Sequence, residues 1–537
     1  MDSAQMLRPS ACRIGLVIVT FLMGICHENE SAAFDKSALL VKIVGELTRP
    51  EVDYSEKLNA TLRKGATPEN NFFTVFFPYI PDEYLDESQG PWVEKFCKEL
   101  GCPPLQPDRP VFRPLLLSYF PEAQDQAELN TQLTNALHDF WDAEKTPLIA
   151  RWLEMNEEVL DQILAATARP VGYYPAIVPE SEPLVAHHYS DLIYVGQVVN
   201  LTAVRVMRSL TTNNLRQARR DLIALHQLAH LIGQRPGSMI QLYVSYAVIE
   251  VLQSAQGCYL LHEKLERTMC RSYVRVVSAI PRPPLAVKVL LMGDLLAIQE
   301  VVDRMQSWKV QFRLTSSNDK TFSLDAEDLA LCLAMNVLLD KQAVAEGVTA
   351  YYQGLAKITQ QAYSLRRLQE LKSFQNLHRC EDAEAMKEDD LSRGLLKFLG
   401  LSLLRRDGLN RIARSRAFGS YIARMIASDP RMMDVREIEI ETYRAMLPAL
   451  ASMVLEVTST GVWPISTENL LDPSGQPVAG DPFYGRPFEL GMSPIDGLNY
   501  CQLSVAEPEV NHEQEPAEPY SVPRRVRIYF TQRIRSD

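Results

Sequence analysis

The chain has 537 residues, of which 46% are hydrophobic and 23% are charged, and these proportions are typical of globular proteins. Its formal net charge of -12 argues against a nucleic-acid-binding protein, because such a protein needs a basic face to release phosphate counterions. The length corresponds to about three folding units, or to one long helical body with an appendage.

The N-terminus carries the pattern of an export signal. Arg8 and Arg13 precede the apolar run IGLVIVTFLMGIC at residues 14–26, and the small residues Ser-Ala-Ala end at Ala33. A short basic region, an apolar run of about 7–15 residues and a small-x-small cleavage site make up such a signal. We therefore predict that residues 1–33 direct export to the periplasm or cell envelope. The alternative is an uncleaved signal that anchors the protein to the membrane by its apolar run.

The body of the chain shows a mainly helical pattern. We interpret 34–280 and 281–459 as a first and a second helical region, separated at the prolines of the sequence PRPP. In SALLVKIVGELTRP the apolar residues recur at helical spacing, which predicts a helix that ends before Pro50. These apolar residues are Leu39, Leu40, Ile43, Val44 and Leu47. The helices are predicted to pack as an antiparallel array or an irregular solenoid.

Proline and glycine mark several predicted helix ends. In LRKGATPENNFF, Gly65 fits a helix C-terminus, while Thr67 fits an N-cap and Pro68 fits the first helical position. Thr146 and Pro147 repeat the last two signals before a long apolar pattern. One helix is therefore predicted to begin after each threonine.

The composition changes after residue 459. The region 460–537 is predicted to form a small C-terminal β element, because it opens with turn-forming residues and LNYCQLSV alternates as a strand does. The tail RRVRIYFTQRI alternates in the same way. The segment 506–519, AEPEVNHEQEPAEP, is interpreted as an acidic Pro-Glu linker that is too polar to pack. The predicted fold is thus mainly α with a small C-terminal β element.

The 9 cysteines include no C-x-x-C pair and do not fit a disulfide scaffold. Cys97 and Cys102 form one close pair, in CKELGC. Gly101 can end a helix there and bring the two thiols within disulfide reach. A disulfide and two buried thiols both stay open as interpretations of this pair.

The stretch DLIALHQLAHLIG carries His226 and His230 four residues apart on a predicted helix. This is the ligand spacing of a zinc hydrolase helix, but Gln227 stands where such a helix carries its catalytic Glu. At about 100° per residue the two histidines lie at the border of one apolar face. That face consists of Leu222, Leu225, Leu228, Ala229 and Ile232. We therefore predict that the histidines complete a packing face and assign them no metal.

We assign no catalytic residue and no cofactor to the other clusters of polar residues. His187, His188 and Asp191, in AHHYSD, are conceivable further metal ligands beside the two histidines of the predicted helix. In WLEMNEEVLDQ the acidic residues are Glu154, Glu158 and Asp161. We interpret them as a solvated helix face, because a di-iron bundle needs Glu-x-x-His on two helices. The sequence contains no G-x-S-x-G, Walker or G-x-G-x-x-G motif.

Four segments resemble, in the same order, a family of large uncharacterised exported helical proteins of planctomycete-type bacteria. They are LNATLRKGATPENNFFTVFF, PLIARWLEMNEEVLDQILAATARPVGYYP, DLIALHQLAHLIGQRPGSMIQLYVSYAVIE and WPISTENLLDPSGQPVAGDPFYGRPFEL, of which TPENN and DPFYGRPF are the most specific pieces. The resemblance implies an exported helical protein with a small C-terminal β element and implies no activity. In that family His-Arg-Leu-Ala-Arg follows DLIAL, so His226 matches and His230 departs. The resemblance therefore does not imply a two-histidine metal site.

These observations favour an exported or envelope-associated structural or interaction protein without a catalytic site. We predict a protein partner in the cell envelope, no nucleic-acid partner, and membrane contact only through the N-terminal segment. The alternative is a metal-dependent envelope hydrolase that uses the helix of His226 and His230. A surface that binds peptides or glycans is a third hypothesis.

Overall fold

The protein is mainly helical, with a small sheet near its C-terminus, and this confirms the predicted fold class. The predicted export signal and the acidic linker lie outside the residues that the structure describes. The structure is a computed structural model and describes residues 41–46, 52–81, 90–106, 108–138, 141–177, 192–283, 286–307, 309–314, 339–361, 365–377, 410–426, 430–482, 485–495, 498–505 and 528–532.

A π-helical turn, Leu290–Asp294, joins α10 to α11. The α-helices are α1 (Tyr54–Leu62), α2 (Phe72–Phe76), α3 (Gly90–Leu100), α4 (Gln126–His138), α5 (Pro147–Ala166), α6 (Ile193–Thr211), α7 (Leu215–Gly233), α8 (Met239–Leu260), α9 (Arg267–Ser278), α10 (Ala286–Val289), α11 (Leu295–Ser307), α12 (Lys341–Thr359), α13 (Leu365–Leu377), α14 (Arg411–Ile426) and α15 (Pro430–Thr460).

The strands of the described residues form two antiparallel sheets. They are β1 (Val41–Glu46), β2 (Lys309–Leu314), β3 (Phe488–Ile495), β4 (Leu498–Val505) and β5 (Ile528–Gln532). The first sheet pairs β1 with β2, and the second has the order β3-β4-β5. β4 covers the whole of LNYCQLSV and β5 lies within the alternating tail, so both strand predictions are confirmed.

The helix predicted for SALLVKIVGELTRP is wrong, because its middle part forms the strand β1. Ile43 and Val44 fit helical spacing, but like Val41 they are β-branched and suit a strand equally well. The pairing with β2 decides between the two structures, and β2 is far along the chain. The periodicity of a short apolar run reports local preference and carries no information on such a partner.

The cap predicted at Thr67 is also wrong. The backbone N–H groups of Asn70 and Asn71 donate to Thr67 O at 3.2 and 3.0 Å, which makes this segment a turn rather than a helix. Asn70 Oδ1 accepts from Thr67 N at 2.8 Å, and Asn70 Nδ2 donates to Gly65 O at 3.1 Å. α2 begins at Phe72, with Asn71 as its N-cap. The second asparagine of TPENN therefore starts the helix, and Gly65 has the positive φ, +75°, that follows the end of α1.

Two buried asparagines attach the segment 171–177 to the N-terminal helices. Asn71 Oδ1 accepts from Tyr173 N at 2.9 Å, and Asn71 Nδ2 donates to Tyr173 O at 2.9 Å. Asn59 makes the same pair of bonds with Ala176, at 2.8 and 2.9 Å. Each amide thus satisfies both backbone groups of its partner, as a neighbouring strand would.

α5 begins at the predicted residue, but the side chain of the predicted N-cap threonine makes no hydrogen bond to the helix. Thr146 is the N-cap and Pro147 is the first helical residue, as predicted. The Thr146 hydroxyl donates to Asp142 O at 2.8 Å and makes no capping bond to the helix. The proline has no N–H that requires a cap, and its fixed φ suits the first turn.

Helices α7 and α8 pack antiparallel along their length. Ser245 Oγ donates to Ala229 O at 2.7 Å, and Gln241 Nε2 donates to Ile232 O at 2.9 Å. Residue numbers in α8 therefore rise as those in α7 fall. The approach is close at Gly233, where a Cβ would lie 2.6 Å from Ser245 Oγ. This pair of helices positions both histidines of the predicted motif.

Within the ranges that the structure describes, the buried apolar residues form two clusters. The first extends across the predicted boundary at 281, since it includes both Trp152 and Val344. The second joins α6, α7, α8 and α9 to α15 and includes Phe488 at the start of β3. The division into two helical regions stays a prediction. In the part of the chain that the structure describes, no helix is both long and apolar enough to cross a membrane.

Candidate functional site

The apolar face predicted on α7 is confirmed. Its members, Leu222, Leu225, Leu228, Ala229 and Ile232, are all buried. His226 and His230 are partly buried at the edge of this face. The sequence therefore predicts correctly where on the helix surface the two histidines lie.

His226 takes part in a hydrogen-bond network with α8 and α9. Its Nε2 lies 2.7 Å from Gln256 Oε1 and 3.2 Å from Tyr273 Oη, and the Tyr273 hydroxyl donates to Gln256 Oε1 at 3.0 Å. Gln256 Nε2 donates in turn to Gln253 Oε1 at 3.3 Å. Because Gln256 Oε1 can only accept, His226 Nε2 carries the proton and donates.

Burial keeps His226 neutral. Desolvation lowers the pKa of the imidazole to about 4, the Arg444 charge lowers the pKa further, and the hydrogen bond to Gln256 opposes the shift. The pKa of His230 is lowered for the same first reason, burial, and then by Arg444. At neutral pH both rings are therefore uncharged.

The residues of the histidine motif face different neighbours. His230 Nε2 lies 3.4 Å from Gln234 Nε2, and Gln234 bonds the backbone of Pro170 and Gly172. Gln227, at the position of a zincin glutamate, accepts from the Thr167 hydroxyl of the α5 C-cap at 3.1 Å. The spacing of four residues thus does not by itself bring the polar atoms of the motif to one point.

The other metal candidates, His187, His188 and Asp191, lie outside the described residues. Within the described ranges, no group of three or more His, Cys, Asp or Glu side chains is arranged to hold a metal ion.

A groove of about 630 Å³ lies between α5 and α7, and its basic residues were not predicted as a site. We call it the arginine groove, because Arg216, Arg219 and Arg220 line it. Its other lining residues are Asp161, Leu164, Ala165, Thr167, Ala168, Ile223, Ala224 and Gln227. The volume is within the range of about 300–1,000 Å³ that small-ligand sites occupy. The signal in the sequence is the spacing in LRQARRD, which places three arginines on one side of a helix.

Ion pairs hold the acidic side of the arginine groove in place. Arg205 is buried and binds Asp221 in a bidentate manner, through Nε at 2.8 Å and Nη2 at 2.9 Å. Its Nη1 donates to Asp161 Oδ1 at 2.6 Å. Burial alone would lower the pKa of Arg205, but these carboxylates outweigh it and raise the pKa. Glu154, Glu158 and Asp161 are all exposed, which confirms the predicted solvated acidic face. Asp161 also forms an ion pair with Arg205.

Cys97 and Cys102 are both buried and free. α3 ends in a turn in which Cys102 N donates to Cys97 O at 3.0 Å and Gly101 N donates to Lys98 O at 3.2 Å. Gly101 has φ +72°, as this helix end requires. The Cys102 thiol donates to Cys97 O at 3.6 Å, and the interaction between the two neighbouring cysteine side chains lowers the pKa of Cys97 and raises that of Cys102. The glycine thus brings the two cysteines together, as predicted, and they are present as thiols.

Comparisons with protein-family models, with curated proteins and with solved structures give no match to this chain.

Proposed function

We propose that the protein is an exported, non-enzymatic interaction protein that binds a protein partner in the cell envelope through its C-terminal segment. The observation that carries this proposal is that one short segment presents three exposed, large apolar side chains. Val462, Ile465 and Leu471 are 69%, 81% and 60% exposed, and they are the three most exposed large apolar side chains of the described residues. The three residues lie on one short segment, and exposed apolar patches mark interaction sites more often than single scattered apolar residues do.

The segment that presents this surface is held firmly against the body of the protein. Trp463, Leu470 and Val478 are partly buried against the second core cluster. Thr467 N donates to Phe488 O at 3.0 Å, and Phe488 N donates to the Thr467 hydroxyl at 3.0 Å. A fixed segment loses little conformational entropy when it binds, which favours its use as a docking surface.

The export part of the proposal rests on the sequence. The basic residues before the apolar run 14–26 and the small residues that end at Ala33 have the order of an export signal. Under this proposal only this segment contacts the membrane. The resemblance to exported helical proteins supports the same assignment.

A metal-dependent hydrolase that uses His226 and His230 has weaker support. His226 Nε2 already donates to Gln256, and Gln227 lacks the carboxylate that would take a proton from metal-bound water. These observations favour a structural role for the histidines.

Photocrosslinking in cells tests the proposed docking surface. A benzophenone amino acid is introduced at Leu471, and at Ile412 on α14 as a control that is 40% exposed. We expect a discrete adduct in the envelope fraction from position 471 and none from position 412. Adding Ile465→Asp should abolish the adduct, while the melting temperature stays unchanged because Ile465 is exposed. The absence of an adduct at 471, or equal adducts at both positions, would contradict the proposal.

A further inference from the structure

The arginine groove combines an apolar floor with a basic rim. Leu164 and Ala224 are buried at its base, and the wall is formed by Ile223 of α7 and the exposed Ala168 beyond the end of α5. The basic rim belongs to the first turns of α7, whose N-terminal N–H groups add a partial positive charge. A ligand that fits this groove therefore carries an apolar body and an anionic group.

The charges that line the groove do not cancel. Three arginines and one aspartate give a net charge of +2 (3 − 1) among the lining residues. Asp161 is already bound by Arg205 at 2.6 Å, and Arg220 reaches it only at 3.6 Å. Two positive charges are thus left without a counterion in the described part of the chain.

Two of the arginines lack a carboxylate partner in the described residues. Arg216 is exposed, and the described residues give it no ion pair. Arg219 Nη2 donates to the Ser272 hydroxyl at 2.6 Å, which fixes the guanidinium, while its buried Nε has no hydrogen-bond partner in the described ranges. The exposed guanidinium of Arg216 therefore has free donors for an anion, and Arg219 adds a fixed positive charge beside it.

We propose that the arginine groove binds a small phosphate monoester with an apolar body. A phosphate monoester carries about −1.5 to −2 charges at neutral pH and three strong acceptor oxygens, which match the net charge of +2 and the free guanidinium donors. Its apolar part would cover Ile223 and Leu164. The proposal concerns a site built from other residues than the C-terminal docking surface and does not depend on it.

The test uses phenyl phosphate as the probe and the purified protein in about 150 mM salt, where surface charges are screened within about 8 Å. Isothermal titration calorimetry should show one binding site for phenyl phosphate. Inorganic phosphate should bind more weakly because it lacks the apolar body, and phenol should not bind because it lacks the anion. Affinity for phenyl phosphate should fall from pH 8 to pH 5, because the second pKa of a phosphate monoester is about 6.

Three variants locate the binding site. Arg216→Ala should weaken binding at least about tenfold, since it removes a charge-assisted hydrogen bond to the phosphate group. Ala168→Asp adds a negative charge to an exposed position of the wall and should weaken binding without removing an arginine. Arg275→Ala, on the exposed side of α9, removes the same charge outside the groove and should change the affinity less than about twofold.

The proposal is overturned if phenyl phosphate does not bind at millimolar concentration, or if Arg216→Ala and Arg275→Ala have the same effect. Equal affinities for inorganic phosphate and phenyl phosphate would overturn the role of the apolar floor. Unchanged melting temperatures of Arg216→Ala and Ala168→Asp would show that any loss of binding does not reflect unfolding.

Discussion

At the scale of single residues, His226 illustrates how burial decides the role of a histidine. Its Nε2–H donates to Gln256, its ring lies beside Tyr273, and desolvation lowers its pKa to about 4. A neutral, hydrogen-bonded imidazole of this kind joins three helices, because Gln256 belongs to α8 and Tyr273 to α9. The role of His226 is therefore structural.

We predict that His226→Gln reduces the loss of stability in acid. The folded pKa of His226, about 4, is below the unfolded value of about 6.5, so the unfolded chain binds a proton that the folded protein does not. The contribution of this residue is therefore fully present above about pH 6.5 and is lost as the pH falls towards 4. It amounts to at most about 1.4 kcal/mol for each pH unit. Urea unfolding of both proteins at pH 7 and pH 5 measures the difference.

At pH 7 the same substitution should cost about 1 kcal/mol or less, because glutamine keeps a polar group of similar length. A chelator should leave the melting temperature of the parent unchanged if His226 only packs. A structural metal site would instead make metal binding part of the folding free energy, so a chelator would lower the melting temperature of the parent and hardly affect the variant. If the free energy of unfolding depends on pH equally in parent and variant, the lowered pKa of His226 is contradicted.

At the scale of elements, α12 and α14 cross in close contact through two glycines. A Cβ on Gly347 would lie 2.1 Å from Arg416 O, and a Cβ on Gly419 would lie 2.1 Å from Val344 O. The Ser420 hydroxyl donates to Gly347 O at 3.0 Å at the same crossing. Backbone atoms occupy the space that a side chain would need, so neither helix can accept a larger residue there without moving.

We predict that Gly347→Ala destabilises the protein, whereas Gly196→Ala stabilises it. The first change pushes a methyl group into the backbone of α14 and should cost about 1–3 kcal/mol, the usual range for overpacking. Gly196 is an exposed residue of α6 with open space around its Cβ position, so alanine there should add about 0.5–1 kcal/mol through its higher helix propensity. Chemical denaturation of both variants checks the pair. A stabilised Gly347→Ala protein would show that the two helices are not in close contact.

At the scale of the whole molecule, the proposed roles belong to three separate parts of the chain. The N-terminal segment would direct export, the exposed residues between Val462 and Leu471 would dock a partner, and the arginine groove between α5 and α7 would bind an organic phosphate. The helical core joins the last two parts, because the second cluster contains buried residues of both α7 and α15. Changes in the export segment should therefore affect location and leave binding intact.

We predict that replacing Val17 and Leu22 with arginine retains the protein in the cytoplasm. The two charges interrupt the apolar run on which recognition of an export signal depends. A matched control places the same charges at Val52 and Ile240, which are exposed, and should leave export unchanged. Cell fractionation with immunodetection measures both proteins. Unchanged fractionation of the first variant would contradict the export assignment.

The sequence predicted the elements whose signals are local. The apolar period of α7, the alternation of β4 and the proline at the start of α5 all report the preference of a short stretch, and the structure agrees with each. The arginine groove could have been suspected from LRQARRD, since three arginines on one side of a helix need either counterions or a ligand. That the neighbouring acids already pair with Arg205 could not have been foreseen, because Arg205 lies on another helix.

By itself the sequence determined the mainly helical class, the face that α7 buries and the strands near the C-terminus, because these follow from the period of apolar residues. Only the tertiary structure decided that residues 41–46 form a strand, that Asn71 rather than Thr67 starts α2, and that His226 is neutral and bonded to Gln256. Each of these depends on contact with residues far along the chain, such as β2 and Tyr173. The free energies of such contacts exceed the small differences in local preference, and a single stretch of sequence does not report them.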